Sequence, residues 1–236
     1  LSANGEMSLW KDTRQSSANL NFNTQNNGAG NARNGNLGIN HSDKISDNSS
    51  GGFNLRTSNN ANAFLQENVI ESLNPEGNFV NNSRNLGESG STTHSLGANI
   101  SFNNKKMLLN ANVDGALNRS NNENMSISNQ SGLLRQDLEN TNGSKNSAPN
   151  INGYLSITKK LKNKRNSFSA SSNFSLGSSE GNQIINSLIR YYDQQTLLAL
   201  KDSILNRNLV NSSSNRQFGV RLNYNIGLKP TKDSLT

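Results

Sequence analysis

A chain of 236 residues is long enough to bury a sizeable core, but only 31% of its residues are hydrophobic and its mean hydropathy is −0.77. Asn and Ser are the commonest residues, whereas charged residues make up 17% of the chain and only three prolines occur. Because disordered chains are usually rich in charge and proline, this composition argues against plain disorder. The low hydrophobic fraction argues against a conventional globular core.

The formal net charge of +7 raises the question of a nucleic-acid partner, since a basic surface gains affinity by releasing counterions from phosphates. The sequence contains no basic helix and no aromatic-studded sheet of RNA-binding type, so we predict that the protein does not bind nucleic acid. Clusters of cations fall instead in short polar segments. These clustered cations are Lys105 and Lys106, Lys162, Lys164 and Arg165, and Lys229 and Lys232.

Cysteine is absent, which excludes a disulfide framework and a thiolate metal site. No run of about 18 apolar residues occurs, so the sequence excludes a membrane-spanning helix. The chain begins at Leu1 and lacks the charged and apolar regions of a secretory signal peptide. We therefore expect it to be a piece of a longer protein.

Apolar and polar residues alternate in about nine short stretches, a pattern that predicts strands with one apolar and one polar face. The first predicted strand lies near residues 3 to 10. The alternating apolar positions of the others are Ala18, Leu20 and Phe22; Leu37 and Ile39; Phe53, Leu55 and Thr57; Leu96, Ala98, Ile100 and Phe102; Leu109, Ala111, Val113 and Leu117; Ile151, Leu155 and Ile157; Phe168, Ala170, Phe174 and Leu176; and Phe218, Val220, Leu222, Tyr224, Ile226 and Leu228.

The predicted connections fall into two length classes that alternate along the chain. Brief polar turns are predicted at residues 11–16, 43–48, 103–106 and 162–166, and another at 229–234. Long Asn/Ser/Gly stretches, predicted as loops, occupy residues 59–93, 118–149 and 178–214. The fold expected from this alternation is all-β: an antiparallel up-and-down meander with short turns at one end and long loops at the other.

Such sorting of connections is typical of bacterial outer-membrane barrels, which have short periplasmic turns and long extracellular loops. A barrel needs apolar side chains only at alternate strand positions, so it can be hydrophilic on average. We therefore interpret residues 1–236 as part of one transmembrane β-barrel domain. The apolar stripes would face lipid, and the Asn, Ser and Gly residues would line a wet or plugged lumen.

Several segments resemble the barrel region of Bacteroidetes outer-membrane proteins related to TonB-dependent receptors. The resemblance begins in residues 30–85, which include "GNARNGNLGINHSDKISDNSS" and "GNFVNNSRN". It continues through "THSLGANISFNNKKMLLNANV" at 93–113, "RNSFSASSNFSLGSSEGN" at 165–182 and "NRQFGVRLNYNIGLKP" at 215–230. It rests on the succession of strand, turn and Asn-rich loop, and involves no catalytic motif.

The resemblance implies a barrel of about 22 strands closed around an N-terminal plug. Such receptors lie in the outer membrane of Gram-negative bacteria and import siderophores, metal chelates, glycans or peptides with energy relayed by TonB. Neither a plug nor a TonB box is visible, and "KDSLT" at 232–236 lacks the terminal aromatic residue that commonly closes such barrels. We therefore expect an internal barrel segment whose partners are outer-membrane lipid, an extracellular nutrient and, through a plug outside this sequence, TonB. We expect neither enzymatic activity nor a cofactor.

Candidate chemical groups are few, and none is assigned as a site. His41 and His94 are far apart in the sequence, one near a strand end and one just before a strand, and are expected to be surface or lumen residues. The "GAG" at 28–30 is expected to be a flexible turn, because no helix follows it to cradle a phosphate. The predicted loops carry acids that are expected to be solvated. These acids are Glu67, Glu71, Glu76, Glu88, Asp137 and Glu139.

The third predicted loop contains Tyr191 and Tyr192 within residues 184–206, a segment that would form a short helix or strand extensions. Tyrosines there could anchor a ligand, but an interfacial aromatic belt or local packing is favoured. Two alternatives remain for the chain as a whole. One is an extracellular Asn-rich structural or adhesive β-repeat, which should show a fixed period. The other is a hydrolytic barrel enzyme, for which no Ser/His/Asp constellation is visible.

Overall fold

The computed structural model describes residues 2–11, 14–27, 30–73, 77–132, 135–161, 166–193 and 195–226. These residues form a single antiparallel sheet in which each strand pairs with its sequence neighbours, in the order β1 to β9. The predicted all-β meander and its nine strands are therefore confirmed. The strands are β1 Ser2–Lys11, β2 Arg14–Asn27, β3 Gly30–Ser46, β4 Ser49–Ser72, β5 Phe79–Asn103, β6 Met107–Gly132, β7 Gln136–Lys160, β8 Ser167–Tyr192 and β9 Ala199–Asn225.

The prediction of long loops at one end is wrong. The described parts of residues 59–93, 118–149 and 178–214 belong almost entirely to strands, which pair residue by residue up to the hairpin tips, where the last pairs are Ser72 with Phe79, Gln130 with Gln136 and Tyr192 with Ala199. The strand-extension alternative for residues 184–206 is the one the structure adopts. Strands β4 to β9 are consequently 24 to 27 residues long. We call the end with these tips the distal end and the opposite end the proximal end.

Side chains of Asn and Asp shape the connections at both ends. At the proximal end, Asn104 Oδ1 accepts hydrogen bonds from the backbone N–H groups of Lys106 (2.8 Å) and Met107 (2.7 Å). At the distal end, Asp193 Oδ1 accepts them from Gln195 (2.9 Å) and Thr196 (2.7 Å). The bonds from Thr196 are the main reason that the pKa of Asp193 is below its ordinary value. These local bonds replace ladder bonds where the chain reverses.

Three of the predicted proximal turns can be compared with the structure. The turn predicted at 43–48 is confined to Asp47 and Asn48, because β3 continues through Ser46. The turn at 103–106 is confirmed, and β1 and β2 reach into the ends of the turn predicted at 11–16. The turn at 229–234 lies outside the described residues, as do Gly28 and Ala29 of the "GAG" segment and Glu76.

Within the described residues, no hydrophobic side chain is buried. Val220 on β9 is 75% exposed and Leu96 on the interior strand β5 is 58% exposed. The structure also contains no helix that is long and apolar enough to cross a membrane, in the parts of the chain that it describes. The sheet therefore holds its shape through the backbone ladder and through contacts between neighbouring side chains, without an apolar interior.

On each strand, alternate residues lie on opposite faces of the sheet, and the register keeps each face continuous from strand to strand across the whole width. Directly opposed residues share a face, and the pairing passes unbroken from Ala18 through Ile39, Leu55 and Leu96 to Gly115, then to Ile151, Leu176 and Arg216. We call this side, which includes Phe218, Val220 and Leu222, the apolar face. The opposite side, which includes Gly219, Arg221 and Asn223, is the polar face.

Phenylalanine rings on both faces lie over glycines of the adjacent strand. On the apolar face, the Phe22 ring covers Gly35 and the Phe174 ring covers Gly153, so a Cβ atom at either glycine would collide with the ring. On the polar face, the Phe64 ring covers Gly87 in the same way. The missing side chain of each glycine makes room for the ring, which in turn shields the glycine backbone.

A substitution pair on β7 tests this packing. We expect Gly153→Val to lower the free energy of unfolding by about 1–3 kcal/mol, because its side chain displaces the Phe174 ring. Gly143→Val is the matched control on the same strand and face, since no atom lies within 4 Å of the Cβ position there. Denaturant midpoints of the two purified variants measure both effects. Equal midpoints would show that the ring does not occupy the glycine site.

Candidate membrane-facing surface

The alternating apolar residues of β2 to β9 merge into one continuous band on the apolar face. Within the described residues, this apolar band contains no charged side chain. Its members are Ala18, Leu20 and Phe22; Leu37 and Ile39; Phe53 and Leu55; Leu96, Ala98, Ile100 and Phe102; Leu109, Ala111, Val113 and Leu117; Ile151, Leu155 and Ile157; Phe168, Ala170, Phe174 and Leu176; and Phe218, Val220, Leu222 and Tyr224.

The apolar band crosses the sheet obliquely. The row of opposed residues that starts at Ala18 ends at Arg216. On β2 the band extends from this row toward the distal end, as far as Phe22, whereas on β9 it begins beyond the row on the proximal side, at Phe218. Its centre shifts by about seven residues, roughly 23 Å, over seven strand spacings, roughly 34 Å. The band is therefore inclined to the rows by roughly 35°.

Charged residues at the level of the band lie on the polar face. Arg56, Asp114 and Arg221 are opposed to Gly38, Asn152 and Ser171 respectively, and all of these residues have polar-face parity. Each charge is one residue away from an apolar side chain on the other face. The two faces thus differ sharply over the same length of strand.

On the polar face, Asn and Asp side chains lie over glycines of the adjacent strands. Asn19 covers Gly38, Asn173 covers Gly219, and Gly97 is flanked by both Asn54 and Asp114. A second set of contacts consists of hydrogen bonds, such as Ser175 Oγ to Asn152 Oδ1 at 2.6 Å and Asn112 Nδ2 to Asp114 Oδ2 at 2.9 Å. The Asn- and Gly-rich composition therefore forms a hydrophilic surface directly behind the apolar band.

The histidines are not brought together. His41 Nδ1 is 2.8 Å from Ser16 Oγ, and its ring centroid is 5.5 Å from that of Phe53. His94 lies inside β5, not before a strand as expected from the sequence, and its Nδ1 is 3.1 Å from Thr57 Oγ1. No group of three or more metal-ligating side chains occurs among the residues that the structure describes. Each histidine has a hydroxyl neighbour in place of a metal-ligand cluster.

The acidic residues lie on strands instead of loops, which corrects the expectation from the sequence. Glu67 is in β4 and forms a 3.3 Å ion pair with Arg84 of β5. Glu88 is also in β5 and directly opposes Glu123 of β6 on the apolar face, distal to the band. The other acids that the sequence predicted to be solvated in loops also lie in strands, apart from Glu76, which is outside the described residues. They are Glu71 in β4, and Asp137 and Glu139 in β7.

Tyr192 takes part in a polar network at the distal end of the sheet. Its hydroxyl donates a 2.6 Å hydrogen bond to Asp137 Oδ2, and the Arg135 guanidinium carbon lies 5.1 Å from its ring centroid. Asp137 Oδ1 accepts a further bond from Asn129 at 2.8 Å, and Arg190 pairs with Asp202 at 3.3 Å. We call these six residues the distal network. Sequence reasoning missed it, because it depends on pairing between four strands, β6 to β9.

The distal network is too far from the apolar band for Tyr192 to belong to an aromatic belt at the band edge. Tyr192 is roughly 50 Å along β8 from Leu176, the distal end of the band on that strand. Tyr191 points to the opposite face, because successive strand residues alternate. Local packing is therefore the alternative that the structure supports for Tyr192. Aromatic residues at the band edge itself include Phe168 and Tyr224, which are directly opposed on the proximal side.

No protein-family model matches this chain, and a comparison with curated proteins gives no match either. The geometry and the charge distribution of the apolar band are therefore the basis for inferring its function.

A pair of substitutions on β9 tests the assignment of faces. Leu222, on the apolar face, opposes Ala170, and Asn223, on the polar face, opposes Ser169. We expect Leu222→Arg to destabilise the assembled protein by about 2–4 kcal/mol, the cost of an arginine at the middle of a lipid-facing band. Asn223→Arg should have little effect. Heat-modifiable gel mobility measures assembly, and an equal loss for both variants would contradict the faces.

The distal network gives a pH-dependent prediction. Burial is the largest single contribution to the pKa of Asp137 and opposes its ionisation, but bonds from Tyr192 and Asn129 and the charges of Arg135 and Arg190 outweigh it, so the pKa is lowered. A lowered pKa stabilises the fold at neutral pH and this stabilisation is lost below about pH 4. Amide-exchange protection near residues 136–138 should therefore fall in acid.

The same network can be tested by titration. We expect Tyr192→Phe to raise the pKa of Asp137, because the variant removes a hydrogen bond to the carboxylate. Tyr191→Phe is the control, since its hydroxyl makes no bond to Asp137 and its side chain is on the other face. Carbon-13 NMR of the carboxyl group measures both. An unchanged pKa in Tyr192→Phe would show that the network does not persist in solution.

Proposed function

We propose that this chain is a segment of an outer-membrane β-barrel of the TonB-dependent receptor type, which takes up an extracellular nutrient. In this proposal the apolar band contacts outer-membrane lipid and the polar face lines the barrel interior. The distal hairpins extend beyond the outer surface of the membrane, and the proximal turns lie at the periplasmic side. The protein binds and moves its ligand without changing it chemically.

The oblique apolar band is the observation that carries the membrane proposal. Strands of transmembrane barrels tilt by about 35–45° from the membrane normal. A membrane plane must then cross the rows of opposed residues at the same angle, because those rows are perpendicular to the strands. The inclination of roughly 35° in this sheet falls at the lower end of that range.

The height of the band agrees with the same geometry. On β8 it extends from Phe168 to Leu176, and on β6 from Leu109 to Leu117, which are roughly 26 Å along the strand. Tilted strands of this length, with their flanking residues, span most of the roughly 25 Å apolar zone of outer-membrane barrels. The absence of charge from the described part of the band fits a hydrocarbon environment, where charges are costly.

Pairing within the backbone ladder is also what a membrane requires. Each interior strand from β2 to β8 pairs on both sides at the level of the band, so its backbone amide groups there are satisfied within the sheet. In the described residues, β1 and β9 each pair on one side only. A barrel would complete these two edges with further strands. Nine strands are fewer than the roughly 22 of a receptor barrel, so the segment would form less than half of the wall.

The distal hairpins supply the receptor part of the proposal. They carry mostly polar side chains and extend the sheet by roughly 50 Å beyond the band on β8. Hydrogen-bonded strands hold such a surface more rigidly than unpaired loops, which lowers the ordering cost of ligand capture. The polar and charged groups on both sides of the hairpins suit a hydrophilic nutrient such as a metal chelate, glycan or peptide.

Single cysteines along β9 test the membrane environment, since the natural sequence contains none. In outer membranes, bimane attached at Phe218, Val220, Leu222 or Tyr224 should be quenched by a lipid-soluble quencher. Cysteines at Gly219, Arg221 and Asn223 should react instead with a water-soluble maleimide. An alternation of period two is expected because successive residues face opposite sides. Uniform labelling by the water-soluble reagent would overturn the proposal.

Uptake measurements test the transport part. Cells that lack this protein should lose import of one class of nutrient, and cells that lack TonB should lose the same import. Radiolabelled ferric citrate and a linear maltodextrin provide two chemically distinct probes, and peptides provide a third. Normal uptake of all three classes in the deletion strain would contradict the receptor assignment, while leaving the lipid-facing band to be judged by the cysteine experiment.

A further inference from the structure

Basic residues border the apolar band on its distal side. Moving distally along the apolar face, the first charged residue after the band is Arg33 on β3, Arg119 on β6, Lys145 on β7 and Arg216 on β9. We call these four residues the basic border. Arg119 and Arg216 occupy the first position beyond the band on their strands, directly after Leu117 and Phe218 on the same face.

The cations of the basic border have no acidic partner. Ion pairs in the described residues join Arg14 to Asp43, Lys44 to Asp47, Arg84 to Glu67, and Arg190 to Asp202, so none includes a border cation. Glu180 is the first charge beyond the band on β8, but Ser147 lies between it and Arg119 in the same row. Glu123 is six residues beyond the band, as far as Lys145, and Glu88 is eight residues beyond it, whereas Arg119 and Arg216 are the charged residues in the described part of the chain that directly follow the band on its distal side. The border is therefore net positive where it meets the apolar surface.

Two open recesses on the apolar face contain these cations. The larger, of about 1020 Å³, is lined by Arg33, Arg119 and Lys145, by the acids Glu88 and Glu180, and by amide and hydroxyl side chains, so cations outnumber acids there by three to two. The smaller, of about 660 Å³, is lined by Arg216 and by the band residues Ile151, Leu176 and Phe218. The second recess thus joins an unpaired guanidinium to apolar side chains, the combination that an amphipathic molecule with an anionic head requires.

We propose that the basic border binds the phosphate-bearing headgroups of anionic membrane lipids, an inference that rests on the membrane-facing role proposed above. Acyl chains lie against the apolar band, and the phosphate lies one or two residue positions beyond it, within reach of Arg119 and Arg216. Guanidinium groups bind phosphate oxygens through paired hydrogen bonds. The long side chains can extend along the strand toward the headgroup level while their stems stay in contact with apolar surface.

The polar face provides the comparison that makes this inference specific. It carries arginines too, such as Arg56 and Arg221, but these lie at the level of the band and behind the sheet. They would face the barrel interior, where a lipid headgroup does not reach. Only the cations on the apolar face are placed at the edge of a hydrocarbon layer, so lipid selectivity should depend on them and not on the total charge of the protein.

The test measures lipid preference directly. The complete protein with the single substitution Leu176→Cys, labelled with bimane, is reconstituted into vesicles of equimolar phosphatidylcholine and phosphatidylglycerol. Either lipid is brominated in turn, and quenching gives the ratio of the two lipids at the border. We expect phosphatidylglycerol to be favoured about five-fold or more, with a preference that falls as ionic strength rises.

Two matched triple variants locate the source of the preference. Replacement of Arg119, Lys145 and Arg216 by glutamine should bring the ratio close to one. Replacement of Arg56, Arg207 and Arg221, which removes equal charge from the polar face, should leave it as in the unsubstituted protein. A loss of preference in the second variant alone, or in both equally, would overturn the proposal.

The remaining outcomes separate this inference from the membrane proposal. Equal quenching by both brominated lipids in the protein without charge substitutions would overturn the lipid selectivity, while the lipid contact itself would stand. No quenching by either lipid would overturn the membrane-facing role and the inference together. Added inorganic phosphate distinguishes the source of the anion. If millimolar phosphate abolished the preference at constant ionic strength, the border would be a site for a soluble anion, and the lipid assignment would be wrong.

Discussion

The structure depends on a backbone ladder that is satisfied without a hydrophobic core. Strands β2 to β8 pair on both sides over most of their length, and no hydrophobic side chain in the described residues is buried. Burial of apolar area is normally the dominant favourable contribution to folding. A sheet that leaves its apolar side chains exposed must obtain that contribution from its surroundings. The even spacing and shared face of the band are the reasons for which we propose a hydrocarbon phase as its environment.

Continuity of register turns a weak sequence pattern into a surface. Each strand from β2 to β9 contributes only two to four apolar side chains to the band, and any one of these stripes would also suit an ordinary half-buried strand. A slip of one residue between any two strands would move a stripe to the other face. Between Ala18 and Arg216 no such slip occurs, and the irregularities of pairing lie outside the band, at 44–46 and 191–192.

The strands and their faces could be predicted from the sequence, because period-two alternation is a local property. The nine expected strands correspond to β1 to β9, and the apolar residues of each stripe, such as Leu96–Phe102, share one face of the sheet as predicted. The distal extensions could not be predicted in this way. Residues 59–93 and 118–149 lack a sustained period-two alternation, because their few apolar residues include adjacent pairs such as Phe64 with Leu65 and Val69 with Ile70, which lie on opposite faces.

Positions within the site show the same division. The separation of His41 from His94 was predictable, since their spacing lacks any metal-binding pattern. The hydroxyl partners, Ser16 and Thr57, were not, because they come from neighbouring strands and depend on register. The inclination of the band likewise exists only after the strands have been aligned. A sequence lists which residues alternate, but the angle between the band and the rows is a property of the sheet.

The apolar band and the distal end of the sheet differ in the side chains that characterise them. At the level of the band, the two faces are distinguished by charge, because charged side chains there lie on the polar face and the apolar face has none in the described residues. At the distal end, the distinguishing feature is a set of paired polar groups, such as Asp137 with Tyr192 and Arg190 with Asp202. Water would compete with those pairs, so each alone stabilises little. Together they join side chains of β6 to β9 near the distal end, and the proposed receptor function would use this order to hold a rigid ligand-binding surface.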